Sequence, residues 1–226
     1  MSFKITVLIL LYLCPLVRAE PVLIDQIAAV VNDEIITLSD IQKATMLYPL
    51  FRDKNESERD FQKRVLLSLI NHKVIYHEYR DEFQLSEEDY EEVQIPVIKK
   101  VGSLGELMIL LRHFDMDWQD FKQFIKEKVV YEKVLKVQYQ SKITIPYNEI
   151  EQFYNQEYLP VQKRLGLQAK SLIEMTPLIE KYLRKKRTDL KLKDWLQGIK
   201  TFYRITNLLE KEDSLSGSTE HFQENQ

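Results

Sequence analysis

The chain has 226 residues, 44% hydrophobic and 30% charged, with a formal charge of −3. That balance suits a folded domain rather than wholesale disorder, and its sign argues against nucleic acid as the partner. Five glycines in the whole chain are too few for the phosphate-cradling loops of nucleotide enzymes.

Residues 1–19 have the form of a secretory leader. Lys4 supplies the positive charge, Ile5 to Leu16 the apolar run, and Val17-Arg18-Ala19 the small residue at the cut. The run is shorter than the roughly twenty residues of a membrane span. Cleavage after Ala19 and export to the periplasm are predicted, with no stable membrane insertion afterwards. Cys14 is the only cysteine and lies inside the leader. Tyr12, Leu13 and Pro15 around it do not fit a lipoprotein signal. Without Cys14 the chain has no thiol, which removes disulfides, thiolate zinc sites and cysteine nucleophiles.

The stretch "IAAVVNDEIITLSDI", residues 27–41, reads as a hairpin running into a helix. Asn32-Asp33 tolerates the positive φ of a tight turn, and Ser39 with Gln42 offers a capping box. "IAAVV" is apolar at successive positions, so it predicts a strand covered on both faces. Ser57 precedes a long helix with one apolar stripe: Phe61, Val65, Leu69, His72, Tyr76, Tyr79 and Phe83. Ser86 starts another, with Glu87, Glu88, Asp89, Glu91 and Glu92 near its N-terminus, and Pro96 is expected to kink or end it. Ser103 caps "LGELMILLRHF". Asp117 caps the next helix, with Trp118, Phe121, Ile125 and Val129 on one stripe.

Pro146 begins a further helix, Pro160 and Gly166 mark a break, and Thr176-Pro177 caps the last helix to about Lys200. "FYRIT", residues 202–206, reads as a strand, and residues 210–226 as a disordered tail. A lone strand leaves its backbone groups unpaired. The economical prediction is one small sheet in which this strand joins the opening hairpin. The fold class is therefore mainly α, with a sheet clasping the two ends of a single unit spanning 20–209.

Candidate chemistry is sparse. His72 and His77 stand five apart on one helix, which is not the spacing of zinc ligands, and His72 reads as a core residue. The acidic run 87–92 complements a helix dipole, and "RKKR" (184–187) reads as a solvated face. No catalytic residue, metal ligand or cofactor is expected. Met46, Tyr48, Met108, Phe114 and Met116 lie at helix ends or loop edges. Such side chains repack around varied apolar segments, and they are the predicted peptide-binding residues.

The order "VVNDEIITLSDI", "LLSLINHKVIYHEY…LSEEDYEEV", "GSLGELMILLRHFDMDWQDFKQFIKEKVVYEKVL" and "TPLIEKYLRKKRTDLKLKDWLQGIKTFYRI" resembles the peptide-binding core of the periplasmic chaperone SurA and its relatives. The resemblance runs from about Val22 to Leu208, with residues 176–209 returning onto the N-terminal module. It implies an ATP-independent chaperone for unfolded outer-membrane or exported proteins. Two departures accompany it. Relatives carry parvulin prolyl isomerase domains between "EIEQFYNQEY" and "TPLIEKYL", an interval filled here only by residues 159–176, so isomerase activity is not expected. The long second helix also lacks the glycine at which relatives tend to stop it, with Asp81-Glu82-Phe83 in its place. The alternative expectation is a dedicated helical subunit of an envelope complex.

Overall fold

The computed structural model describes residues 25–210. The predicted leader with Cys14 lies outside the described residues, as does the predicted tail from residue 211 and its His221. The opening stretch forms β1 (Ile27–Val31) and β2 (Glu34–Thr37), antiparallel, with Asn32 at φ +55° in the turn. On its other side β1 pairs antiparallel with β3 (Ile205–Asn207), so the strand order is β2-β1-β3. Being central explains the composition of β1. Ala28, Ala29 and Val31 are fully buried, so the run cannot alternate with polar residues.

The return strand starts later than expected. Lys200–Phe202 continue the last helix as a 3₁₀ turn, leaving Phe202 83% exposed. Only after Tyr203 packs against the core does the chain extend. Side chains then fasten strand to hairpin. The Arg204 N–H donates to Asn32 Oδ1 at 3.0 Å, the Asn32 N–H donates to the Arg204 carbonyl at 2.8 Å, and the Arg204 guanidinium meets Asp33 at 2.8 Å.

Five helices complete the main module: α1 (Leu38–Leu47), α2 (Glu58–Tyr79), α3 (Glu87–Val101), α4 (Leu104–His113) and α5 (Trp118–Val134). Ser57, Ser86, Ser103 and Asp117 cap α2 to α5 as predicted, each accepting a backbone N–H three residues on. The cap of α1 is a correction. Thr37 and Asp40 form the box, and the Ser39 N–H donates instead to Asp25 at 3.2 Å. A carboxylate at Asp40 outcompetes the neutral amide of Gln42, so the helix begins earlier and takes Leu38 with it.

Helix α2 is wrapped rather than one-sided. It packs along α5, with α1 and β1 against it, so Leu66, Ile70, Val74 and Ile75 are buried beyond the predicted stripe. Lys73 is also buried there, donating to Glu34 at 2.6 Å and Glu127 at 2.7 Å. It ties β2 to α5 through α2. Pro96 does not end α3, which runs on to Gly102 at φ +123°. The acids of α3 are more than dipole partners. Glu87 and Asp89 meet Lys122 and Lys133 of α5 at 2.8 and 2.6 Å, and Glu92 pairs with Lys136.

After α5 the chain makes a π turn (Leu135–Tyr139) and a 3₁₀ turn (Gln140–Lys142). α6 (Tyr147–Phe153), a π turn (Tyr154–Tyr158) and α7 (Leu159–Leu165) then follow one another without a break. Pro160 sits in the first turn of α7, so the break falls at Gly166 alone, φ +67°. The last helix, α8 (Leu172–Ile199), is capped by Ser171 and Glu174 rather than Thr176, and carries Pro177 inside it. The reciprocal Ser171–Glu174 box supplies the partners that Thr176 cannot, because its hydroxyl donates back to the Leu172 carbonyl at 2.8 Å.

Two apolar clusters result. The large one takes in the sheet, α1 to α5, and Leu192 and Leu196 of α8. The small one joins Ile143, Ile145 and Ile150 to Ile179 of α8. Thirteen residues separate Ile179 from Leu192, a rotation of about 220° along a helix with 3.6 residues per turn. The two halves of α8 therefore bury nearly opposite sides, and the helix is a strut between the clusters. Two members of "RKKR" anchor it. Arg184 donates to the carbonyls of Gln140 (3.1 Å) and Ile143, and Arg187 donates to the Thr144 carbonyl (3.0 Å) and Glu149 (2.6 Å). Lys185 and Lys186 alone have the exposure expected of a solvated face.

Candidate functional site

Where the strut leaves one cluster for the other, a cleft of about 540 Å³ opens between α8 and the main module. Its floor is aromatic and apolar: Tyr48 and Leu50 after α1, and Tyr131 and Leu135 at the end of α5. Lys100 of α3 shapes the first of these segments. Its ammonium donates to the carbonyls of Thr45 and Tyr48 and, at 3.2 Å, to that of Leu50. Of these, the Thr45 carbonyl lies in the last turn of α1, where a helix leaves its carbonyls without intrahelical partners. Burial pulls the Lys100 pKa down.

His72 of α2 stands at the back, 3% exposed, edge-on to Tyr131 at a ring distance of 4.6 Å and to Tyr48 at 5.8 Å. Its Nε2 lies 3.3 Å from Ser68 Oγ, and its Nδ1 has no hydrogen-bond partner among the described residues. Burial first, and the Lys128 charge second, push its pKa well below the ordinary value, so the ring is neutral. The serine–histidine pair has no carboxylate on Nδ1, the member that orients the histidine in acyl transfer. Burial likewise holds the phenols of Tyr48 and Tyr131 protonated. The back and floor of the cleft thus offer aromatic surface and neutral polar groups.

The rim carries the charge. Lys128 pairs with Glu132 and Lys185 with Asp189, both at 2.6 Å, while Arg184 is engaged with Glu180 and the backbone.

The five residues expected to bind peptide do not form one groove. Tyr48 is a correction: at 2% exposure it is a core residue stacked on Phe124 at 5.5 Å, although it also lines the cleft. Met46 lines a separate groove of about 570 Å³ between α1 and the start of α2. Met108 stands on the outer face of α4 beside the exposed Leu104 and Ile109. Phe114 caps α4, half-buried against His113. Met116 folds back onto the large cluster because Asp115 adopts φ +52° and the Met116 N–H bonds the Leu111 carbonyl at 3.0 Å. The floor residues outside that set are Leu50, Tyr131 and Leu135; the last two stand four apart on the α5 side of the cleft, and Phe124 seven before Tyr131 extends the pattern. That helical spacing is open to reading in the sequence beside the Phe121 stripe.

Among the described residues no group of three or more histidine, cysteine or acidic side chains could hold a metal ion, and no helix is long and apolar enough to cross a membrane. No protein family matches the chain, and no curated protein matches it.

Proposed function

We propose that this protein is a SurA-like, ATP-independent periplasmic chaperone that holds unfolded outer-membrane or exported proteins in the cleft between α8 and the main module. The observation that carries the reading is the cleft itself, an aromatic floor fixed by Lys100 and walled by a helix that serves both clusters. An unfolded chain exposes apolar side chains at irregular spacing. A floor at which Leu50 and Tyr131 stay partly exposed accepts them without demanding one sequence. The secretory leader read in residues 1–19 supports the compartment, and the resemblance supplies the client class. Between α6 and α8 the chain holds a π turn, α7 and a short loop, which supports holding without prolyl isomerisation.

The test is aggregation. An outer-membrane barrel protein diluted from urea should scatter less light as this protein is added, with half-suppression at roughly micromolar concentration, the range expected when a disordered chain loses freedom on binding. Unchanged scattering at a tenfold molar excess contradicts the reading.

A further inference from the structure

We propose that the cleft selects segments in which a carboxylate lies beside an aromatic or large apolar side chain. The proposal rests on the cleft being the client site. Four cations line it, Lys128, Lys181, Arg184 and Lys185, against two carboxylates, Glu132 and Asp189. Both carboxylates are taken, by Lys128 and Lys185 at 2.6 Å each. Arg184 is held by Glu180 and by the carbonyls of Gln140 and Ile143. Lys181 has no ion pair or hydrogen bond among the described residues. On a chain whose formal charge is −3, this is a local reversal of sign with one cation unspent. It stands on the exposed rim, on the same helix face as its neighbour Lys185, above the floor of Tyr131 and Leu135.

The neutral state of His72 removes a competing charge from the back of the cleft, and its free Nδ1 leaves a polar atom near the floor. A segment that sets an aromatic ring on the floor brings an adjacent carboxylate up to Lys181. A lysine or arginine in that place meets the unpaired Lys181 ammonium instead. Like charge costs at an interface as opposite charge gains, so the rim discriminates by sign while the floor does not discriminate by sequence.

The carboxylate can be an acidic side chain or a chain terminus, and three forms of one aromatic-rich peptide separate the sources. The first has an internal aspartate and an amidated end. The second has asparagine there and a free end, and the third asparagine with an amidated end. Binding is read by fluorescence anisotropy at low and high salt. An exposed ion pair predicts that at least one carboxylate peptide binds about three- to fivefold tighter than the neutral one at low salt, with the gap closing at high salt. Lys181→Gln should abolish the gap. Equal binding by all three peptides, or a gap that survives Lys181→Gln, overturns the selectivity while the holding cleft stands. Binding by none overturns both.

Discussion

A chain ending at Lys200 should unfold at much lower urea than one ending at Glu210. The ten residues between them supply every backbone partner of β1 on its β3 side, together with the Asn32–Arg204 exchange. Their loss also removes apolar cover, since Tyr203, Ile205 and Leu209 pack on the large cluster and the Tyr203 hydroxyl donates to Glu78 at 2.5 Å. The fully buried Ala29 and Val31 would be left on an open edge. Net hydrogen bonds contribute about 1 kcal/mol each and buried apolar area about 25 cal/mol per Å², so a loss of about 3–5 kcal/mol is expected. Against a total of about 5–15 kcal/mol that is a large fraction. Equal urea midpoints for the two chains would show that the termini do not support each other.

Lys73→Met should cost about 2 kcal/mol near pH 7. The ammonium is buried between two carboxylates, and removing it leaves both uncompensated, a change that typically costs about 3–5 kcal/mol in a fully buried pair. The value is reduced here because the Glu34 and Glu127 side chains are 42% and 27% exposed. Burial raises the Glu34 pKa, but the Lys73 hydrogen bond and charge, helped by His77 and Arg80, outweigh it and the net direction is down. Glu34 therefore stabilises the fold above the ordinary glutamate pKa, and that contribution fades as pH falls through the folded value. Burial lowers the Lys73 pKa, and the charges and hydrogen bonds of Glu127 and Glu34 outweigh it, so the net direction is up. Its contribution is complete below the ordinary lysine value and is lost only in alkali. Urea titrations should accordingly show a gap between native and variant that is flat around neutrality and narrows in acid below about pH 4. A Lys73→Met variant as stable as the native chain at neutral pH would show that the network contributes nothing.

Much of the fold is legible in the sequence because local chemistry is decisive there. Asn32-Asp33 marks the hairpin, and Ser57, Ser86, Ser103 and Asp117 mark helix starts that tertiary packing does not move. The unpaired strand near the C-terminus has to find a partner, and β1 is the apolar strand with a free side. The misses have physical causes. Two overlapping boxes compete around residues 37–42, and the one closed by the Asp40 carboxylate wins, while Asp25 takes the Ser39 N–H. Pro160 and Pro177 read as helix boundaries in the sequence. Pro160 falls in the first turn of α7, where proline is tolerated, and Pro177 is carried inside α8 as α6 and α8 bury Ile150 and Ile179 together. The cleft is the least legible feature. It gathers residues 48–50, 68–72, 128–135 and 181–189 only because α8 changes its buried side between Ile179 and Leu192. That change depends on what lies opposite each half of the helix, which no local pattern contains.

The most direct test of the proposed client cleft is an environment-sensitive fluorophore at a single cysteine. In a Cys14→Ser background, Gln140→Cys puts the label in the cleft lining, and Ile109→Cys puts it on the exposed face of α4 as a control. Titration with the unfolded barrel protein should shift the emission of the label at 140 to the blue, saturating over the concentrations that suppress aggregation, with little change at 109. A shift at 109 with none at 140 would locate client binding on the outer face of α4 and contradict the cleft.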